Sequence, residues 1–476
     1  MSRSRGKPSQ LATASAPSAS PQEPFAVLPR KKSVRLTLWP LVAATFFMVS
    51  GGTYGTEDIV HGAGYGRALL ILLLTPILWS LPTAFMIGEL SSALPFEGGY
   101  YAWVRRAMGN FWGFQEAWLS LVASIFDMAI YPTLFVAYLT RLFPWFSQGH
   151  RGVMVGLAVV IVCALLNIAG VRVVSTTSLW LFFALSAPFA LIAVLAPFKY
   201  GTLFHAVTTP TTSTVDMIGG LLIAMWNYMG WDNASTIATE VERPQRTYPR
   251  AMLAAVVIVA LSYIVPVAAV WMTGLAPTTW ETGSWAEIAG LLGGPLLRIA
   301  LVLGGMMSAF GMFNALVMSY SRLPLAMAQD GMLPRVFARL NRRRAPWVAI
   351  TACAMGWALC LGLGFERLVT IDILLYGSSL ALEFVALVML RIREPELPRA
   401  FRVPGGMFGA VAVGIAPMLL LGFSVVRSQN EQVLGMSSFA FGMLLIAAGL
   451  VAYFLNHTLK PEGWTVRAKE RPQPAA

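Results

Sequence analysis

The stretch SGGTYGTED at residues 50–58 interrupts an apolar run that begins at residue 38. It places three glycines and two carboxylates, those of Glu57 and Asp58, near the middle of a segment long enough to cross a bilayer. A continuous helix that faces lipid does not require glycines and acids at this depth. An irregular backbone in the hydrocarbon region is tolerated only where it is buried or lines a cavity, because unpaired backbone groups are strongly unfavourable there. The stretch therefore predicts a broken helix whose break faces the protein interior.

A second stretch of this kind, WNYMGWDNAS, occupies residues 226–235 of a later apolar run. The two breaks lie at corresponding places of predicted spans one and six, which is typical of an inverted repeat with a binding site at the repeat interface. The alternative is that the glycines only allow close packing of neighbouring helices. Either reading places these residues inside a helix bundle. The inverted-repeat interpretation also predicts that residues 50–56 and 226–231 are non-helical.

Composition extends the membrane interpretation to the whole chain. Of its 476 residues, 57% are hydrophobic and 12% are charged, and the mean hydropathy is +0.67. Soluble domains carry about 25% charged residues. Spanning a bilayer takes about 20 mostly apolar residues. We therefore expect an all-α polytopic membrane protein with twelve transmembrane helices, predicted at 38–64, 66–94, 111–141, 152–171, 176–198, 215–240, 251–274, 296–327, 347–364, 367–390, 404–426 and 433–456.

The remaining segments complete the predicted organisation. Residues 1–37 are basic and rich in Ser, Pro and Ala, with no apolar core of a signal peptide, which predicts a disordered cytoplasmic tail. We expect a transport core of ten helices at 38–390, with repeats at 38–198 and 215–390, followed by helices eleven and twelve at 404–456 and a cytoplasmic tail at 457–476.

The distribution of Lys and Arg indicates the orientation. With twelve spans, most of the 34 cationic residues fall on the side that holds both termini, including Arg105, Arg106 and the cluster at 335–344. Short cytoplasmic loops retain cations. We therefore expect both termini in the cytoplasm and a multi-pass protein of the plasma membrane. The net charge of +12 is a topology signal and does not predict a nucleic-acid partner.

Enzymatic chemistry has no support in the sequence. Cys163, Cys353 and Cys360 lie in apolar runs, and the four histidines lie near loops or helix ends. This pattern predicts no metal site, no cofactor and no nucleophile-base pair. The chain also has no GxxxxGK[ST] loop for nucleotide-driven pumping. We therefore expect neither an enzyme nor an energised pump.

At its breaks the sequence resembles the amino acid, polyamine and organocation permease superfamily, with GGTYG at 51–55 and YMGWDNASTIATEVERPQRTYP at 228–249. Within it, SGGTYGTEDIV at 50–60, FEGGYYAWVRRAMGNFWGFQEAW at 96–118 and DMAIYPTLF at 127–135 resemble the proton-coupled polyamine and cation symporters of plants and protozoa. Gly230 departs from the plant pattern and matches amino-acid permeases.

The resemblance implies a leucine-transporter-like fold with broken helices one and six, and uptake of organic cations such as putrescine or spermidine by alternating access. The alternative is an amino-acid permease working by symport or exchange. A membrane sensor without transport would explain twelve spans but not two matched breaks. The sequence makes no prediction of oligomeric state.

The intramembrane acids define the predicted site, because charges at bilayer depth usually face a pathway or a partner. Asp127 is the main candidate for a substrate amine or a proton, and Glu383 is a second proton candidate. Burial disfavours a charged carboxylate and makes proton exchange feasible near neutral pH. The predicted substrate-binding residues are Gly51, Gly52, Thr53, Tyr54, Gly55, Glu57, Asp127, Tyr131, Trp226, Asn227, Tyr228, Trp231 and Asp232.

Each assignment has a structural alternative. Glu57 is either a substrate carboxylate or an ordinary first-turn acid at the positive end of a half-helix. Asp127 and Glu383 could make only helix-helix hydrogen bonds, Asp232 could cap a half-helix, and the aromatic residues could be core packing. Glu89, Arg105 and Glu240 lie toward the predicted cytoplasmic ends of the spans and predict a gate or a structural ion-pair network.

Overall fold

The computed structural model describes residues 36–96, 98–170, 176–201, 216–429, 432–433 and 435–458. These residues belong to one compact unit, Val34–Ala476. The predicted tails at 1–37 and 457–476 lie outside the described residues except at 36–37 and 457–458. The helices are α1 Leu38–Val49, α2 Glu57–Ala63, α3 Tyr65–Thr75, α4 Leu81–Ala93, α5 Gly99–Met108, α6 Asn110–Leu142, α7 Arg151–Ile168, α8 Thr176–Tyr200, α9 Met217–Asn227, α10 Pro244–Trp271, α11 Trp285–Tyr320, α12 Arg322–Gln329, α13 Trp347–Leu359, α14 Phe365–Arg393, α15 Gly406–Ser428 and α16 Ser438–Thr458.

Shorter elements connect these helices. A π-helical turn at Pro76–Ser80 joins α3 to α4, and a 3₁₀ helix at Trp231–Glu240 follows α9. Short 3₁₀ turns lie at Pro144–Ser147, Pro277–Thr279 and Arg335–Ala338. Two short strands, β1 at Gln432–Val433 and β2 at Met436–Ser437, pair antiparallel before α16. The architecture is therefore helical, as predicted.

Within the described residues, nine helical segments are long and apolar enough to cross a membrane, and α1 and α13 are shorter apolar helices. A helical segment lies at the position of every predicted span. The predicted boundaries were less accurate than the positions. For example, α10 begins at Pro244 rather than 251, because a proline fits the first turn of a helix.

Two features were absent from the predicted spans. Helix α5 lies between the second and third spans and ends at Met108, and the following Gly109 has a φ of +92°, which favours glycine. Helix α11 begins at Trp285, well before the predicted start at 296, and turns sharply at Gly294, where φ is +74°. The apolar pattern could not indicate either feature, since α5 is amphipathic and the turn depends on one glycine.

The first predicted break is present: α1 ends at Val49, α2 begins at Glu57, and Gly51, Gly52 and Gly55 between them all have positive φ. The second break is shorter than expected. Trp226 and Asn227 complete α9, and Trp231 already belongs to the following 3₁₀ helix, so only residues 228–230 lie between helices. Predicting residues 226–231 to be non-helical was therefore wrong at both edges.

The central helix of the bundle is α6, which packs against α11 and α14. At the end of the bundle that includes α5, arginine side chains form ion pairs with acidic side chains. We call this end of the bundle the basic end. There, Arg106 pairs with Glu394 at 2.8 Å, and Arg391 pairs with Glu89 at 2.5 Å. At the other end, the loop before α11 contacts α2, since Thr282 donates to Asp58 at 2.7 Å.

Candidate functional site

The two breaks lie against each other inside the bundle. Asn227 Nδ2 donates to the carbonyl of Gly55 at 3.1 Å. Gly230 has a φ of +88°, and a Cβ at this position would lie 2.8 Å from the carbonyl oxygen of Met48. A larger residue is therefore disfavoured here by both conformation and close approach. The glycine that departs from the plant pattern therefore allows the second break to approach the end of α1 closely.

Asp127, in the middle of α6, accepts hydrogen bonds from three aromatic side chains. Its Oδ1 accepts from the Tyr131 hydroxyl at 3.0 Å and from Trp226 Nε1 at 3.3 Å. Its Oδ2 accepts from the Tyr320 hydroxyl at 3.2 Å. The carboxylate is buried, with 3% of the residue exposed. Three helices, α6, α9 and α11, thus converge on one acid.

A cavity borders this acid, and its walls come from the end of α1, from the second break and the residues on either side of it, and from α6, α11 and α14. The cavity volume that the centre of a water molecule can occupy is about 10 Å³. The cavity therefore has room for roughly one water. The conformation is therefore closed around the site. The lining residues are Met48, Val49, Asp127, Tyr131, Trp226, Met229, Gly230, Asn233, Tyr320 and Tyr376.

Asp232 follows the second break and is joined to α14. The Tyr376 hydroxyl donates to Asp232 Oδ1 at 2.5 Å and accepts from the backbone N–H of Gly230 at 3.2 Å. Asp232 is 4% exposed. The tyrosine therefore fixes both the acid and the glycine that precedes it, so this break is held from α14.

Asp372 lies one helical turn before Tyr376 and interacts electrostatically with Asp127 and Asp232. It is 1% exposed, and neither carboxylate oxygen has a hydrogen-bond partner in the described part of the chain. None of the salt bridges found there involves Asp127, Asp232 or Asp372. The centre of the bundle thus holds acidic groups that form no salt bridge with any described Lys or Arg.

Glu57 is bonded to protein groups at the other end of the first break. Its Oε2 accepts from the backbone N–H of Gly55 at 2.7 Å, and its Oε1 accepts from Gly283 N at 2.9 Å. The Tyr138 hydroxyl also donates to Oε1. Glu57 does not line the Asp127 cavity in this conformation. A direct role in substrate binding stays a prediction for this residue.

The other residues of the first break contact neighbouring helices. The Ser308 hydroxyl donates to the carbonyl of Gly51 at 2.5 Å, and Thr53 Oγ1 donates to the carbonyl of Ser262 at 2.6 Å. Gly52 lies beside the ring of Tyr54, whose hydroxyl donates to a carbonyl of α11. These contacts hold the break between α10 and α11, and none of these four break residues lines the cavity.

Tyr228 and Trp231 are placed as packing residues rather than as cavity walls. The Tyr228 hydroxyl donates to the carbonyl of Leu72 at 2.9 Å, and Trp231 Nε1 donates to the carbonyl of Tyr228 at 2.7 Å. Both side chains are fully buried. The aromatic wall of the cavity consists instead of Tyr131, Trp226, Tyr320 and Tyr376.

Glu383 lies further along α14 and faces Glu116 of α6. Glu116 Oε1 accepts from Ser379 at 2.5 Å and from Ser120 at 3.3 Å. Both oxygens of Glu383 lack hydrogen-bond partners among the described residues. Glu116 had no predicted role, although it lies inside the 96–118 stretch that resembles the symporters.

The predicted gate residues belong to separate ion pairs. Glu89 binds Arg391 and Arg399, with N–O distances of 2.5 and 3.3 Å, whereas Arg105 pairs with Asp330. The side chain of Glu240 lies outside the described residues. In the part of the chain that the structure describes, no group of three or more His, Cys, Asp and Glu side chains is placed to hold a metal ion.

Sequence reasoning missed Tyr320, which donates to Asp127. Its only sequence signal was a hydroxyl near the end of a long apolar run, and many such residues lie at membrane interfaces. The sequence identifies Asp372 as an intramembrane acid, but no neighbouring residue in the sequence indicates that it interacts with Asp127 and Asp232. Contacts between spans three, eight and ten decide both positions.

Comparison with known proteins agrees with this architecture. The profile of a family described as amino acid permease matches residues 42–448. The polyamine transporter RMV1 of Arabidopsis thaliana is 34% identical over 435 residues, covering 90% of this chain and 87% of the relative. The polyamine transporter PUT1 of Oryza sativa subsp. japonica is 34% identical over 422 residues, covering 88% and 79%. The serine/threonine exchanger SteT of Bacillus subtilis is 24% identical over 438 residues, covering 89% and 94%.

The match extends over nearly all of the described helices, including both breaks and the cavity between them. Together with the long apolar helices, it identifies a multi-pass membrane transporter and not an enzyme. The chain belongs to the amino acid permease family.

Proposed function

We propose that this protein takes up organic cations, with polyamines such as putrescine or spermidine as substrates, by proton-coupled alternating access. One observation carries the proposal: Asp127 and Asp372 are buried carboxylates that interact electrostatically, and neither forms a salt bridge among the described residues. Buried charges require partners, and an uncompensated one is strongly unfavourable. An ammonium group of the substrate supplies the missing partner.

The cavity walls suit such a ligand. Aromatic faces attract ammonium groups by about 0.5–2 kcal/mol, and the rings of Trp226, Tyr131, Tyr320 and Tyr376 line the space beside Asp127. The same rings cover a methylene chain without requiring further hydrogen bonds. A diamine matches this combination of acids and aromatic surface.

The first break also favours a substrate without a carboxylate. In amino-acid permeases, which this stretch resembles, the amides of the broken first helix are expected to bind the substrate's own carboxylate. Here the N–H of Gly55 already donates to Glu57 Oε2 at 2.7 Å. A second carboxylate at this amide would meet the negative charge of Glu57, which is unfavourable at short range.

We further propose the arrangement of the chain in the membrane. All twelve predicted spans cross the plasma membrane, and the first ten form two inverted repeats related across the breaks at 50–56 and 228–230. The basic end is cytoplasmic, because Arg105, Arg106, Arg391 and Arg393 lie there and cytoplasmic loops retain cations. Both termini are then cytoplasmic.

An amino-acid permease, working by symport or exchange, is the second candidate. Gly230 favours it, because this glycine matches amino-acid permeases, and the more distant relative from Bacillus subtilis is named a serine/threonine exchanger. The two candidate functions differ in the charge of the substrate. An amino acid brings a carboxylate into a site that already contains several carboxylates, whereas a polyamine does not.

Uptake into proteoliposomes tests these proposals. We expect labelled putrescine and spermidine to accumulate when the outside is more acidic than the inside, and a protonophore to abolish the accumulation. Arginine and leucine serve as the competing substrates. Accumulation of leucine without putrescine replaces the polyamine assignment with the amino-acid one, and accumulation that needs sodium and ignores the protonophore removes proton coupling. Absence of any transport favours a membrane sensor.

A further inference from the structure

Two buried glutamates outside the Asp127 cavity have no role in the proposed substrate site. Glu116 and Glu383 are 0% exposed, and three of their four carboxylate oxygens have no hydrogen-bond partner among the described residues. The two carboxylates interact electrostatically across the contact between α6 and α14. Two negative charges in this position repel each other strongly, so the pair requires a positive partner.

The surroundings of the pair contain acids and hydroxyls. Asp232 interacts with both glutamates from the 3₁₀ helix after the second break. Tyr100 of α5 interacts with both as well, and Tyr376 interacts with Glu383 from the same helix. The remaining polar neighbours are the serines that donate to Glu116. Among the described residues, no Lys or Arg interacts with either glutamate.

The missing partner is a small cation. The pair does not line the Asp127 cavity, and Glu116 is about 16 Å from Asp127 along α6, given the helical rise of ~1.5 Å per residue. In the described part of the chain, no set of three or more His, Cys, Asp and Glu side chains can hold a metal ion. A proton needs no cavity, and two interacting carboxyls bind and release protons as a coupled pair.

We propose that Glu116 and Glu383 form a carboxyl pair that binds the transported proton, separate from the substrate acid Asp127. The inference rests on the proposed cation transport and specifies how it is coupled. The proton comes from external water and forms an O–H bond on one carboxyl, which neutralises one of the two negative charges. It leaves to cytoplasmic water when the basic end opens, which restores the two negative charges.

The coupling between the pair and the substrate passes through Asp232. This acid interacts with both glutamates and is bonded to Tyr376, which lines the substrate cavity. Protonating the pair removes a negative charge near Asp232 and so changes the electrostatic field at the second break. The proton site and the substrate site thereby share one element, the segment around residues 230–232.

A transport assay separates coupling from substrate binding. With Glu383→Gln and Glu116→Gln in proteoliposomes, we expect putrescine accumulation driven by a pH gradient to be lost, whereas exchange of internal for external putrescine continues. A one-unit gradient supports about tenfold accumulation per proton carried, so the loss is measurable. Glu396→Gln, in an exposed loop, is the matched control and should behave as wild type. Concentrative uptake by both pair variants overturns the proposal.

A second measurement does not depend on the substrate. The carbonyl-stretch band of a protonated carboxyl is followed by infrared spectroscopy during a pH titration of the purified full-length protein. All titrating carboxyls contribute to this band, and we expect each pair variant to lack one component of it that Glu396→Gln retains. If the band is unchanged in both variants, the pair does not bind the proton, whichever substrate is transported. Failure of putrescine uptake alone, with the band present as expected, contradicts only the substrate assignment.

Discussion

Trp226 Nε1 donates a hydrogen bond to Asp127 Oδ1 over 3.3 Å, which joins the last turn of α9 to the middle of α6. The indole ring also contacts Gly55, since a Cβ on that glycine would lie 3.1 Å from Trp226 Cζ3. One side chain therefore contacts the first break, belongs to the last turn of the helix before the second break and donates to the central acid. Movement of either break is expected to alter the surroundings of Asp127.

Asp127→Asn is expected to weaken putrescine binding by about 100-fold or more. Removing one partner of a buried charge pair costs about 3–5 kcal/mol, and each 1.4 kcal/mol changes affinity about tenfold. Binding of labelled putrescine to purified protein measures the effect. Tyr320→Phe removes one hydroxyl donor but keeps the charge, so we expect a smaller loss from this matched variant. Unchanged affinity in Asp127→Asn contradicts the cation site.

Asp372→Asn is expected to stabilise the substrate-free protein while weakening putrescine binding. Its carboxylate lacks hydrogen-bond partners and interacts with two other acids, so removing its charge relieves repulsion in the empty protein. The same change removes an electrostatic partner of the substrate. A higher Tm together with a weaker Kd supports the assignment. A lower Tm with unchanged Kd indicates a structural role instead.

Glu57→Gln distinguishes closure of the first break from direct substrate contact. Glu57 accepts from Tyr138, Gly55 and Gly283, so the amide variant weakens contacts between α2, α6 and the loop before α11. We expect faster reaction of an external thiol reagent with a cysteine placed at Ser308. The loss of putrescine affinity should be smaller than in Asp127→Asn. An equal loss of affinity shows that Glu57 contacts the substrate in another conformation.

Glu89→Gln is expected to lower the Tm more than Glu394→Gln does. Glu89 is fully buried and accepts from Arg391, from Arg399 and from the backbone N–H of Val403 at 2.7 Å. Breaking such a buried pair costs about 3–5 kcal/mol. The Glu394 side chain is 31% exposed, and exposed pairs contribute about 0–1 kcal/mol. Thermal unfolding in detergent compares the variants, and equal shifts contradict a stabilising role for Glu89.

The sequence was sufficient to predict the helical positions and the first break, because apolar length and clustered glycines depend only on local residues. It was also sufficient to mark Asp127, since a carboxylate in mid-span is exceptional. It did not predict that Glu89 binds Arg391, a residue 302 positions away. The predicted topology instead placed Arg105 near Glu89 in the candidate gate. In the structure, Arg105 pairs with Asp330.

In the candidate site as well, local features could be predicted from the sequence, and the directions of individual side chains could not. Trp226 and Tyr131 could be predicted because they lie close in sequence to a break or to the central acid. Trp231 could not be separated from them by type or position, yet its indole bonds to the carbonyl of Tyr228 and packs away from the cavity. The direction of a side chain after a break depends on φ and ψ at Gly230, where φ is +88°, and the residue pattern does not determine those angles.

The near absence of free space beside Asp127 affects how ligand affinities should be read. A cavity with room for about one water cannot receive a diamine without rearrangement, so the ligand selects a more open conformer from the ensemble. The measured Kd then equals the intrinsic Kd divided by the fraction of molecules in that conformer. Rigid inhibitors larger than the cavity will report this conformational equilibrium together with their contacts, and substitutions far from the site will change their affinities by shifting it.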